Sequence, residues 1–164
     1  MIPRYDSITA SATTSPAPVQ HEFRDFVRAL EQRMIETPGS VIGDSDLCPL
    51  THRFADQTYI REIFIPAGTL IVGKIHRHSH LNFISKGRVL VRTESGGVEE
   101  LVAPLTIISP AGTKRIAYAL EDTTWTTVHV TDKTDMVEIE KEIIVEDYAA
   151  LEAPAATPTI GGGE

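Results

Sequence analysis

Cysteine is almost missing: Cys48 is the single thiol in 164 residues. One thiol closes no internal disulfide and builds no Cys-based zinc cluster. Long apolar runs are missing too, since none approaches the ~20 residues that cross a bilayer. Residues 1–20 hold no basic region followed by an apolar stretch, so no secretory signal is expected. Basic excess is also missing. Fifteen Lys and Arg stand against 23 Asp and Glu, a formal net charge of −8. An acidic surface repels phosphate backbones, which argues against a nucleic-acid or anionic-membrane partner. There is no internal repeat and no Walker-type phosphate loop. The triple glycine at 161–163 has no strand before it and no helix after it. No strand–helix alternation appears, which argues against a parallel α/β sheet. A soluble, intracellular, single-domain protein is the expectation.

What is present falls into five stretches. Residues 1–20 are rich in Ser, Thr, Ala and Pro without apolar period, and 152–164 have the same character; both read as flexible arms. Residues 21–37 read as a packing helix. Phe23, Phe26, Val27, Leu30 and Met34 follow one apolar stripe, and Pro38-Gly39 stops it. Residues 51–131 change texture. Short segments rich in Val, Ile, Thr and aromatics recur at 58–65, 69–76, 81–85, 88–93, 98–102, 105–109, 113–119 and 124–131. Turn signals such as Pro66-Ala-Gly68, Lys86-Gly87 and Pro110-Ala-Gly112 divide them. Strands this short, at this spacing, predict a mainly β, antiparallel sandwich or barrel. Residues 134–151 read as a second helix. Asp135 stands as N-cap with Glu138 as its return partner, and Val137, Ile144, Tyr148 and Leu151 lie along one stripe.

Chemistry concentrates in histidine. His76, His78 and His80 fall in one pentapeptide, and imidazole is the commonest protein ligand for transition metals. Residues i and i+2 of a strand share a face. A straight strand nevertheless separates i from i+4 by ~13 Å, while metal–nitrogen bonds are ~2.0–2.1 Å. All three meet one ion only if the chain bends, and a tight hairpin around residues 77–79 would bring His76 and His80 face to face. Otherwise two bind and one is spare, or the stretch is a wet polar turn. His129 completes a His-only set with His76 and His80 if its face, shared with Trp125 and Thr127, is the interior. Valine's preference for the core points Val128 and Val130 inward instead, and His129 outward. His21 and His52 are expected at the surface. No nucleophile–base pair stands out around Ser79, Ser85 or Cys48.

The stretch IPAGTLIVGKIHRHSHLNFISKGRVLV, followed by LTIISPAGTKRIAYA, resembles a small cupin over residues 59–130, roughly half the chain. The resemblance implies a single cupin-type jelly-roll barrel with a helix at each end. Cupins carry an H-x-H before a Glu that lies seven residues ahead of a Gly, and a second motif P-x-G-x-x-H. Here Gly87 stands as the motif Gly, His80 takes the place of the Glu, and Arg115 takes the place of the last His. A guanidinium does not ligate a metal. Arg115 is expected to pair with Glu62 or another strand carboxylate; the alternative is an anion clamp in the barrel mouth, its fork on a carboxylate or phosphate.

The segments THRFADQTYIREIFIPAGTLIVGKIH and WTTVHVTDKTD look similar to cupin-like proteins encoded by tailed bacteriophages. That resemblance supplies a phage context, and the incomplete cupin ligand set with the Ala/Pro/Thr-rich arms favours a non-enzymatic, virion-associated structural or accessory protein, in the host cytoplasm during assembly or in the virion. Its partners would be copies of itself or other virion proteins, and it would bind a divalent metal (Fe, Mn, Ni or Zn) through His76, His78, His80 and His129. The alternative is a metal-dependent cupin enzyme, a dioxygenase, isomerase or epimerase acting on a small molecule. A weaker option is a small-molecule sensor that uses the barrel pocket without catalysis.

Overall fold

The computed structural model describes residues 17–152. The expected arms fall mostly outside the described residues, at 1–16 and 153–164. Eleven short strands and three helices make up the described chain, in the order α1 (Ala17–Glu36), β1 (Leu50–Ala55), β2 (Thr58–Ile65), β3 (Leu70–Val72), β4 (Ile75–His76), β5 (His80–Lys86), β6 (Arg88–Arg92), β7 (Val98–Val102), β8 (Leu105–Ser109), β9 (Ile116–Ala119), β10 (Thr123–Val130), α2 (Met136–Ile143), β11 (Ile144–Val145) and α3 (Ala149–Glu152).

Two antiparallel sheets form the body, in the orders β1-β2-β10-β5-β8 and β3-β9-β6-β7. Eight of these strands pair as a long hairpin wound round on itself. The first, β2, pairs with the last, β10; β3 pairs with β9, β5 with β8, and β6 with β7. Pairing of first with last, inward to the middle, is the jelly-roll connection. The core lies between the sheets, where Ile84, Val89, Val91, Leu101, Ala117 and Trp125 are buried together.

Gly87 makes the β5–β6 turn. Its φ is +92°, and a Cβ there would lie 2.5 Å from the Asp122 carbonyl oxygen and from Thr123 Oγ1. Only glycine meets both demands.

Helix α1 packs across the outside of the β3–β9 sheet. Phe23 and Val27 are buried with Ile116 and contact Val72. Lys114 Nζ to Glu31 Oε1 (2.6 Å) and Arg24 Nε to Glu94 Oε1 (3.1 Å) tie it down. The expected stripe is therefore narrower by one residue, since Phe26 is exposed beneath the Arg92 guanidinium.

Two expectations are corrected. Residues 69–76 are not one strand: the chain breaks between β3 and β4, because β3 pairs with β9 while β4 pairs with β11. Residues 134–151 are not one helix. Asp135 Oδ1 does cap α2, accepting from the backbone N–H of Val137 and Glu138 at 3.0 Å. The helix then stops at Ile144, whose backbone is extended (φ −105°, ψ 146°). The β-branched pair Ile144-Val145 gains a ladder against Ile75-His76 that a continued helix would forfeit. The buried face of α2 is Ile139 and Ile143, packed on Tyr59, while Val137 is exposed.

Candidate metal centre

His80 opens β5 and His129 lies near the end of β10, its antiparallel neighbour. Their register runs Trp125↔Ile84, Thr127↔Asn82, Val128↔Leu81. Alternate residues share a face, so His129, Thr127 and Trp125 point the same way as His80, Asn82 and Ile84. That face is the interior: Trp125, His129, His80 and Asn82 are buried, whereas Val130 is exposed. The expectation that the valines face inward is overturned. Trp125 has more apolar surface to hide than either valine, and its Nε1–H finds an internal acceptor in Asn82 Oδ1 at 3.0 Å.

His76 reaches the same spot from β4. Residues 77–79 bend as expected, but they form no hairpin. They carry the chain from the small β4–β11 ladder into the five-stranded sheet. The His76 backbone is held on both sides, by Ile144 across the ladder and by the Gly112 N–H donating to the His76 carbonyl at 2.8 Å.

Ring centroids are 4.2 Å apart for His76–His80, 5.0 Å for His76–His129 and 4.8 Å for His80–His129. One ring nitrogen from each residue lies within 4.8 Å of the others. His78 stands apart, with its side chain exposed. Its contribution is a backbone carbonyl 3.3 Å from His80 Nδ1. A carbonyl only accepts, so this contact puts the His80 proton on Nδ1 and leaves the Nε2 lone pair free. His80 Nε2 and His129 Nε2 are both buried without a hydrogen-bond partner.

Burial holds the His76 pKa down to about 2, helped by the charges of His80, His129, Arg61 and Arg115. Burial lowers His129 to about 4, with His80 and Arg61 adding to it. His80 is lowered by burial, against the opposing pull of its bond to the His78 carbonyl. The three rings are therefore neutral near pH 7, the form that ligates metal. Nitrogens ~2.1 Å from one tetrahedral ion lie ~3.4 Å apart. A pair at the 4.8 Å limit closes by roughly 1.4 Å on binding, within reach of side-chain rotation. Orphaned buried nitrogens, neutral rings and this spacing fit a metal ion.

Arg115 does not pair with Glu62. On β2 the inward residues are Tyr59, Arg61 and Ile63, so Glu62 faces outward, where it takes Arg53 at 3.3 Å and the Thr126 hydroxyl at 3.2 Å. Arg115 turns inward. Its Nη2 donates to Ser109 Oγ at 2.6 Å, and the same oxygen accepts from Asn82 Nδ2 at 2.6 Å. Its guanidinium sits 6.0 Å from the Trp125 ring centre. Burial lowers its pKa, and the charge of Glu99 opposes that. Ser109 is the register partner of His80, so this polar chain runs from Arg115 to the strand pair that carries the imidazole.

Sequence reasoning missed Tyr59, Arg61 and His52. Tyr59 is opposite His129, their rings stacked at 6.0 Å. His52, expected at the surface, is half-buried with Nδ1 2.8 Å from the Tyr59 hydroxyl. His21 is exposed, as expected. The β2 alternation Tyr59, Arg61, Ile63, Ile65 was the available signal.

Among solved structures, a cupin-superfamily protein from Desulfitobacterium hafniense is similar at 12% identity and a TM-score of 0.45, over 56% of this chain and 84% of that one. KdgF from Halomonas sp. is similar at 16% identity and 0.48, over 58% and 90%. Ectoine synthase from P. lautus is similar at 13% identity and 0.48, over 68% and 81%. No family model and no curated protein sequence matches the chain. No helix of the described residues is long and apolar enough to cross a membrane.

Proposed function

We propose that this protein binds one divalent transition-metal ion through His76, His80 and His129 and presents it to a small molecule at the α2 end of the roll. The observation that supports it is the convergence of three imidazoles from three strands, two with buried, unpartnered Nε2 atoms. An ion with three protein ligands keeps open positions, where it polarises an oxygen or acidifies a water. An imidazole-only set suits Zn, Fe or Ni better than Mn, which favours carboxylate ligands.

The chain's own part is positional and electrostatic. The His78 carbonyl orients His80, and the Ile144 ladder holds His76. Neutral rings bring no negative charge to offset the ion, and the inward guanidinium of Arg115 adds one more positive charge. Such a site favours an anionic ligand, with the Arg115 fork taking a carboxylate or phosphate. The reaction classes this accommodates are those of a dioxygenase, isomerase or epimerase.

A second reading is supported by His80 and Arg115 standing where the cupin resemblance puts a Glu and a His. It is a non-enzymatic, phage-encoded accessory protein that assembles with its own copies or with other virion proteins. Mass spectrometry of purified particles separates the two, since an accessory virion protein is found in the particle.

The metal reading is tested by elemental analysis of protein purified without a histidine tag. The expected result is close to one metal per chain, lost in the double variant His76→Ala, His80→Ala. Metal content unchanged in that variant, or absent in the wild type after growth with Fe, Mn, Ni and Zn supplied, rejects the reading.

A further inference from the structure

A cavity of about 260 Å³ opens between the β1–β2 edge of the roll and helix α2. It is smaller than the ~300–1,000 Å³ of drug-sized sites, which restricts it to a ligand of metabolite size. Leu50, Met136, Ile139, Ile143 and Ile144 supply apolar wall. Its polar groups are matched within the cavity, with one exception. Lys74 Nζ pairs with Glu140 Oε1 at 2.6 Å. Asp44 Oδ1 accepts from the Leu50 N–H at 2.8 Å. His52 Nδ1 and the Tyr59 hydroxyl satisfy each other at 2.8 Å. The exception is Arg61, half-buried, inward-facing and without a carboxylate at ion-pair distance among the described residues.

The same Arg61 borders the histidine triad. It is opposite Thr127, two residues from His129, and its β2 neighbour Tyr59 both lines the cavity and stacks on His129. Ile144 of the cavity wall is the ladder partner of His76. The cavity and the triad therefore share a wall. A planar guanidinium with free donors binds a carboxylate through two parallel hydrogen bonds.

We propose that Arg61 and this cavity bind the carboxylate end of a small organic acid whose apolar body lies against α2. That the bound acid is also the molecule presented to the metal ion rests on the reading above; carboxylate recognition by Arg61 does not.

The probes are hexanoate and its neutral isostere hexanamide, titrated by calorimetry into wild-type, Arg61→Gln and Arg61→Lys protein, with metal content measured on each sample. The wild type is expected to bind hexanoate about tenfold or more tightly than hexanamide. Arg61→Gln abolishes that preference, and Arg61→Lys, which keeps charge without the fork, retains only part of it. Metal content stays at its wild-type level in both variants. Equal binding of the two probes by the wild type, or a preference that survives Arg61→Gln in folded protein, overturns the proposal. Arg61-dependent preference in a wild type that carries no metal supports the cavity assignment while rejecting the metal centre.

Discussion

Ile144 lies opposite His76 in an antiparallel ladder only two residues long on each side. One residue of the histidine triad is thus placed by a segment nearly seventy positions away. The same segment covers Tyr59 with Ile139 and Ile143, so the C-terminal stretch builds both the ladder behind the triad and the roof beside it.

Breaking that ladder weakens the site without touching a ligand. Ile144→Pro removes the backbone N–H that donates to the Glu140 carbonyl and puts a proline ring, with its fixed φ, in the two-residue ladder opposite His76. A cost of about 3 kcal/mol is expected. Metal affinity, measured by chelator competition, is expected to fall although all three imidazoles are present. Unchanged affinity in folded Ile144→Pro protein would show that His76 needs no such support.

The three converging histidines are not equivalent to the fourth. His129→Ala is expected to weaken metal binding by more than the ~10–100-fold typical of losing a supporting hydrogen bond. His78→Ala is expected to leave it nearly unchanged, because that imidazole is exposed and only its carbonyl contributes. Equal losses in the two variants contradict the geometry.

Acid destabilises the metal-free protein in a defined window. His129 and His76 have folded pKa values of about 4 and about 2, both below the ordinary histidine value of 6.5. The unfolded chain therefore binds more protons than the folded one below about 6.5, and stability rises with pH there. The contribution is complete above the unfolded value and drains as pH falls from 6.5 toward 4 for His129 and on toward 2 for His76. Thermal unfolding at pH 7, 6 and 5 is expected to show a falling Tm, with a shallower fall in His129→Asn. Glu140 and Glu142, both lowered by their partners, add their loss only at more acid pH. A flat Tm from pH 7 to 5 rejects the buried, neutral triad.

Gly87→Ala tests the turn between β5 and β6. The new methyl would sit 2.5 Å from the Asp122 carbonyl oxygen, on a backbone with φ +92°. A loss on the order of 3 kcal/mol is expected in denaturant unfolding, whereas Gly96→Ala, which meets nothing within 4 Å, is expected to change little.

Much of the barrel is legible without coordinates. The segments 58–65, 98–102 and 105–109 coincide with β2, β7 and β8, because glycine, proline and acidic turns bound each β-branched run. The Asp135 cap is legible for the same local reason: a side-chain oxygen two or three residues before free N–H groups needs no distant partner. The bend after His76 is legible only as the condition for His76 and His80 to share one ion, since a straight strand would hold them ~13 Å apart.

What chain order left open was decided by contacts between distant residues. A period of two sorts β10 into a Trp125–His129 face and a Val128–Val130 face but does not say which is inside. Asn82, 43 positions away, supplies the acceptor that favours the tryptophan side, and His129 follows it inward. Ile144 continues the helical stripe of Val137, Tyr148 and Leu151 by spacing, yet the free edge of β4 draws it and Val145 into a strand. The alternation of β2 puts Arg61 on the Tyr59 face, but its surroundings are set only when α2 folds over it with Glu140 committed to Lys74. Local propensity acts over a few residues and so is written in the chain, whereas facing, pairing and unmatched charge are properties of surfaces that exist only after closure.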